Sequence, residues 1–411
     1  MVKIFSKLIL MSVSILLIVG LYGTGMADDS SIEMENLKLR VKQLEKIVEE
    51  LEKKSTKQQI SKSGYPHYHS VKGLEDRIQR MEKELKERSS VGNWTDRINV
   101  SGLLEVEAGW ENINYRSTVL DDEDGSDIAL ATAELDVDVA ISKYVAGHIA
   151  FLWEEDDTEP VDIDEAYILL DGKEVIPFYL SAGKMYIPFG WFESHFISDP
   201  ITLEIGETRE SALKVGFVKD WFELSGALFN GDINKAGEDD HIKGWVIGAN
   251  VKLPENTPGH VGFNAGISYI NNIGESDGLR GEDGLDRRDV NHYVSGLSSF
   301  LSLSFNNKIF LEGEYIVSLD EFETGELGFN SGKRAKPRAW NIELAYLFVF
   351  ELALKYEGSD DLGDFQPEDQ WGGAVTYQIF ENTSLALEYL HGEFETGDKR
   401  DMVTAQISVE F

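Results

Sequence analysis

Cysteine is absent from the 411-residue chain, and proline is scarce at nine residues. Without cysteine there is no disulfide framework, no thiolate metal site, no cysteine nucleophile and no lipidated-cysteine anchor. Basic side chains are also few, 38 Lys and Arg against 74 Asp and Glu, for a net charge of −36. A surface of that sign repels phosphate backbones, so no nucleic-acid partner is expected. Beyond residue 21 no uninterrupted apolar run of about 18 residues occurs, which excludes a later membrane-spanning helix. A hydrophobic fraction of 42% is low for a polytopic helical membrane protein. It suits a barrel whose strands are oily on one face only.

What is present divides the chain in three. Lys3 and Lys7 precede an apolar run from Leu8 to Leu21, and Gly25-Met26-Ala27 supplies small residues before Asp28. Residues 1–27 therefore read as a secretory signal; the run is short for a membrane-spanning anchor. That places the mature chain in the envelope of a Gram-negative-type bacterium. In residues 28–90, Met34, Leu37, Val41, Leu44, Val48 and Leu51 form a heptad seam, and Val71, Leu74, Ile78, Met81 and Leu85 form a second. Gly64-Tyr65-Pro66 breaks the helix between them. Two arrangements of this α-helical coiled coil fit, an antiparallel hairpin within one chain or a parallel trimer stalk between chains. His67 and His69 in the break lack a third ligand and read as plain polar residues, so no metal and no cofactor is expected. Residues 91–411 hold 61 acidic and only 22 basic side chains. The abrupt change of charge marks a domain boundary.

From residue 97 the apolar period becomes two. Ile98, Val100, Gly102, Leu104, Val106, Ala108 and Trp110 alternate with Asn99, Ser101, Glu105, Glu107 and Glu111. Strands are expected at 97–112, 127–142, 145–155, 162–171, 177–187, 209–218, 220–231, 241–253, 260–271, 288–305, 308–318, 336–347, 349–359, 369–379, 382–393 and 401–411. Sixteen is even, and the connections alternate short and long. The fold class is thus all-β transmembrane, a 16-stranded antiparallel outer-membrane β-barrel preceded by a periplasmic coiled coil. Both barrel ends fall on the short-turn, periplasmic side. The last strand alternates to a terminal Phe411, and Trp94, Trp110, Trp153, Tyr269, Tyr315, Tyr346, Tyr356 and Tyr377 suit interfacial girdles.

If the apolar parity faces lipid, the other lines a pore. It holds Glu105, Glu107, Glu134, Asp136, Asp138, Glu154, Glu312, Glu314, Glu343, Glu351, Glu357 and Glu388, with Lys214 and Lys355 as the clear basic members; Lys184 fits either phase. Such a lumen concentrates cations. The acidic run 121–127 lacks the alternating ligand pattern of a calcium loop and reads as an exposed loop facing lipopolysaccharide. Residues 188–208 are too aromatic for a loop bathed only in water. Pro188, Phe189, Gly190, Trp191, Phe192, Glu193, His195 and Asp199 are the expected constriction residues, and a loop that merely caps the rim is the alternative.

Gly183-Lys184, Tyr186-Ile187-Pro188-Phe189-Gly190, Ser198-Asp199-Pro200 and Glu207-Thr208 resemble the central signature of LbtU-type siderophore porins, a group loosely similar to phosphate-selective porins. The resemblance covers essentially the whole mature chain, through one short block. It implies a signal peptide, a short coiled coil, a sixteen-stranded barrel and uptake of ferric siderophores without an energy-coupling plug. The acidic lumen departs from the basic ladder of a phosphate pore and opposes anionic siderophores. Three functions follow in order: a passive porin for small solutes; a structural tether binding peptidoglycan or a periplasmic protein through the coiled coil; and an enzyme, for which none of the barrel histidines sits in a recognisable motif. Outer-membrane lipid and lipopolysaccharide are expected partners, and monomer and homotrimer both fit.

Overall fold

A computed structural model describes residues 97–411, apart from 118–120, 156–157, 159, 240, 254–260, 281–284, 286–289 and 330–331. The secretory signal and the coiled coil expected at 1–27 and 28–90 lie outside the described residues. Sixteen antiparallel strands close into one barrel, each paired with its sequence neighbours and the first with the last. They are β1 Ile98–Asn114, β2 Glu123–Ser142, β3 Val145–Trp153, β4 Asp162–Asp171, β5 Phe178–Tyr186, β6 Arg209–Lys219, β7 Phe222–Phe229, β8 Gly244–Lys252, β9 Val261–Ile270, β10 Gly296–Phe305, β11 Ile309–Ser318, β12 Arg338–Leu347, β13 Glu351–Asp360, β14 Asp369–Phe380, β15 Thr383–Glu393 and β16 Lys399–Glu410. Among the described residues no helix is long and apolar enough to cross a membrane. Crossing by strands needs closure, because an open edge would leave backbone donors and acceptors unpaired in lipid.

The alternation fixes inside and outside. On β13, Leu352, Leu354 and Tyr356 are exposed while Ala353, Lys355 and Glu357 are buried. The exposed set is apolar, so it is the face toward lipid. Closure rests on pairs from Leu103–Glu410 to Asn114–Lys399. Beyond them Gly102 and Phe411 exchange two backbone hydrogen bonds at 3.0 Å. A Cβ on Gly102 would lie 2.5 Å from the Phe411 ring, so the seam requires glycine there. Short turns use left-handed residues that suit hairpins: Asn306 and Asn307 have φ of 53° and 52°, and Asn382 has 60°.

Two register slips matter for the interior. Against β1, the pairing of β2 jumps from Thr132 to Leu130. Against β3, β4 jumps from Glu165 to Ile163, so Asp164 is a bulge residue. Asp164 and Glu165 are consequently both buried, each at 1% exposure. Most expected boundaries move by a residue or more, and three of the changes bear on the interior. The acidic run expected as an exposed loop at 121–127 is strand from Glu123, and Asp124 accepts a 2.7 Å hydrogen bond from Trp110 Nε1. The strand expected from 288 begins at Gly296, because Val290 and Val294 are buried in a loop core instead. The last strand begins at Lys399 and not at 401.

Candidate functional site

The third long loop (L3, residues 187–208) lies inside the barrel. Its neck closes where the Ile187 N–H donates to Thr208 O at 3.0 Å. Gly190 turns the chain at φ +87°, where a Cβ would meet the Phe192 ring at 2.0 Å. Phe192 is itself left-handed at φ 53°. That costs on the order of 1–3 kcal/mol and persists because the surroundings fix it.

Carboxylates on the inner wall do the fixing. Trp191 and Phe192 N–H donate to Glu314 at 2.7 and 3.1 Å, and Thr202 Oγ1 donates to it at 2.9 Å. Ser194 Oγ and the His195 N–H donate to Glu343 at 2.8 and 2.7 Å. Ile197 and Ser198 N–H donate to Glu388 at 2.7 and 3.0 Å, and Ile201 N–H donates to Glu357 at 2.9 Å. A backbone folded in against the wall gives up water, and these carboxyl acceptors replace it, each bond worth about 0.5–1.5 kcal/mol and more where the acceptor is charged. Lys355 adds a cationic clamp, donating to Ser198 O at 3.1 Å beside Glu343 and Glu357 and lying over the Phe196 ring. Between the pins, Phe189, Trp191, Phe192, Phe196 and Ile197 are buried, and Trp191 stacks on Phe300 at 4.6 Å.

L3 is braced by its neighbours. It carries helix α1 (Ile201–Gly206), and the loop at 271–295 (L5) carries helix α2 (Asp277–Arg280). Ser276 Oγ donates to Glu204 O at 3.0 Å, and the Asp277 N–H to Glu207 O at 2.8 Å. Arg280 bridges Glu210, Asp232 and Asp277. Glu275 accepts the Asp232 N–H at 2.9 Å, and burial, only partly countered by Arg280, pushes its carboxyl up to about 7. Burial together with Asp277, Asp199 and Asp164 holds the Glu207 carboxyl well above the usual range. Ile201, Ile205, Ile233, Ile273, Leu279, Val294, Phe322 and Leu362 share one hydrophobic core, so several loops form a common body.

The interior therefore has two acidic sets. Glu312, Glu314 and Glu343 sit on the inward phase of β11 and β12; Glu314 and Glu343 are bound to L3, with Glu343 at 0% exposure. Glu105, Glu107, Glu134, Asp136 and Asp138 sit on the inward phase of β1 and β2, away from those pins. Glu107 accepts from Gln406 at 2.9 Å, and Asp138 lies 2.7 Å from His148 Nδ1. Glu154 lies just past β3 and accepts from Thr158 Oγ1 at 2.9 Å. Lys214 is inward on β6, over the Tyr179 ring at 5.7 Å, whereas Lys184 takes the outward phase, paired with Asp162 at 3.1 Å. On L3 itself Glu193 is half-buried and Asp199 exposed, in contrast to the aromatic residues beside them. His195 lies 3.0 Å from Glu351; burial disfavours its charge, but Glu351, Glu343 and Glu312 outweigh that and push the imidazole up to about 9.

Arg400 is an inward cation that the strand expected at 401–411 leaves out. It donates to Gln370 at 3.2 Å, lies 3.9 Å from Glu111 and stacks on Phe394. The Arg400–Asp401 pair just before the last apolar alternation was the available signal.

A closed sixteen-stranded barrel with a loop folded into its lumen is the porin architecture. Comparison with known proteins agrees at that level. No family model matches the chain. It is similar to a UPF0422 protein of Coxiella burnetii, 29% identical over 309 residues that cover 72% of this chain and 64% of that protein. A UPF0422 protein of Legionella pneumophila is 24% identical over 368 residues, 76% of this chain and 66% of that protein. The chain thus spans just under two thirds of the length of these curated relatives. Among solved structures, the outer-membrane channel DcaP of Acinetobacter baumannii superposes with a TM-score of 0.52 at 14% identity, over 76% of this chain and 97% of that one. The anion-selective porin from Comamonas acidovorans gives 0.51 at 13% identity, over 76% and 99%. At such identities the likeness is one of fold. None of these names mentions a siderophore, so the siderophore implication of the 183–208 block is carried forward only as part of the proposal below.

Proposed function

We propose that this chain is an outer-membrane porin that lets small solutes diffuse passively and favours cations. One observation supports the reading: L3 is pinned to inward carboxylates of the wall, and its own edge and the β1–β2 wall carry further carboxylates. Glu193 and Asp199 border the loop side. On the β1–β2 side Glu105, Glu107 and Asp138 are half-buried, and Glu134 and Asp136 are buried beside them at 3% and 4% exposure. Carboxylates facing each other across a narrow aqueous path raise the local cation concentration and exclude anions. Ferric siderophores fit this path only if they carry no net negative charge. Catalysis is not part of the proposal. Liposomes containing the purified barrel should swell faster in isotonic lysine than in isotonic glutamate. Equal rates would remove the cation preference. The common loop core favours a second reading, a closed barrel that serves as a tether; no swelling with any solute would select it.

A further inference from the structure

His195 stands on L3 with its side chain nine-tenths buried. Its Nδ1 lies 3.0 Å from Glu351 Oε1. An ionised carboxylate only accepts, so Nδ1 carries the proton of that bond and Nε2 is the atom left to bind. Nε2 is buried and has no hydrogen-bond partner among the described residues. It faces Glu312 Oε1 at 4.0 Å, beyond hydrogen-bond reach. A tetrahedral ion bonded to both at about 2.0–2.2 Å would bring the two atoms to about 3.4 Å, a closure of roughly half an ångström. Both donors are held from behind. Glu351 orients the imidazole, and Ser302 Oγ donates to Glu312 Oε1 at 2.9 Å. Outer partners of this kind fix the tautomer and direction of metal ligands. The Phe310 ring, 5.3 Å from the imidazole, walls one side. Glu312 of β11 and Glu351 of β13 lie within 4.0 Å of the imidazole, and Glu343 of β12 accepts the His195 backbone N–H.

We propose that His195 Nε2 and Glu312 bind a divalent transition-metal ion of the zinc, nickel or copper type, which ties L3 to β11. An imidazole beside a carboxylate selects such ions over magnesium and calcium, which prefer oxygen alone. Water completes the coordination shell. The ion binds the Nε2 lone pair, so wherever the ring carries a second proton on Nε2 that proton leaves to solvent on binding.

The test is calorimetric titration of the folded, detergent-extracted full-length protein with zinc in excess magnesium. Magnesium occupies clusters made of oxygen only, such as Asp360, Asp361 and Glu395, whose donor atoms lie within 4.8 Å of one another. The expected result is one zinc site per chain, with uptake accompanied by proton release. His195→Gln and Glu312→Gln should each lower its affinity at least tenfold, and Glu351→Gln about tenfold. Each variant should keep the heat-dependent gel shift of a folded barrel. No zinc uptake by the folded wild type would overturn the proposal. So would uptake unchanged in either His195→Gln or Glu312→Gln.

Discussion

Glu314 shows how one residue decides the interior. It accepts from the Trp191 and Phe192 N–H groups, from Thr202 Oγ1 and, at 3.4 Å, from Ser298 Oγ. Removing it orphans two buried backbone donors, at about 1–3 kcal/mol each. Glu314→Ala should therefore free L3 while the barrel still folds. Single-channel records of the variant should show larger, noisier currents than wild type, and a variant trace as quiet as the wild type's would contradict the assignment. Trp191→Ala should act in the same direction, with a loss of roughly 3–5 kcal/mol in loop docking from the lost stacking and the cavity left. Its readout is protease sensitivity of L3. Glu275 shares the pH dependence of the loop body with Glu207 and Asp277, whose buried carboxyls are also held high. Its folded pKa, about 7, exceeds the ordinary value of 4.5, so its folded form prefers the proton. The stability it contributes is complete below about 4.5 and is lost as pH rises through about 7. Thermal unfolding of the loop body should shift down between pH 5 and pH 8 in the wild type. Glu275→Gln should reduce that shift, and an unchanged slope would refute the role.

At the scale of elements, the strands were legible because lipid on one side and polar groups on the other impose a period of two. Ala129–Ile141 and Val403–Phe411 show it without any partner in view. The ends were less legible. Val290 and Val294 look like strand residues, yet they serve the loop core, and only tertiary packing separates the two uses. The bulge at Asp164 has no local signal, so the burial of both Asp164 and Glu165 could not be read from alternation. The aromatic content of L3 pointed to packing, and Phe189, Trp191, Phe192 and Phe196 are buried. Its anchoring could not be foreseen, because Glu388 lies 191 residues from Ile197 in the chain. Carboxylates expected to meet water, Glu314 and Glu343, instead meet backbone N–H groups. At the seam the account is specific: Gly102→Val should cripple barrel assembly, since its side chain would collide with Phe411 and the Glu134 carbonyl. Normal yields of heat-modifiable barrel would contradict that reading.

At the scale of the whole molecule, charge is the dominant feature. The chain carries −36; residues 91–411 carry −39 and residues 1–90 carry +3. Part of that charge is consumed in holding L3, where Lys355 and His195 sit among Glu312, Glu343, Glu351 and Glu357. The remainder, on β1, β2 and the exposed edge of L3, sets the field along the proposed path. Replacing Glu105, Glu107, Asp136 and Asp138 by Gln or Asn should then reduce cation preference without closing the channel. The most direct measurement is the reversal potential of the purified wild-type protein in a planar bilayer under a potassium chloride gradient. A steady conductance whose reversal potential lies toward that of potassium is the predicted result. A reversal potential toward that of chloride, or no conductance from a folded barrel, would contradict the account.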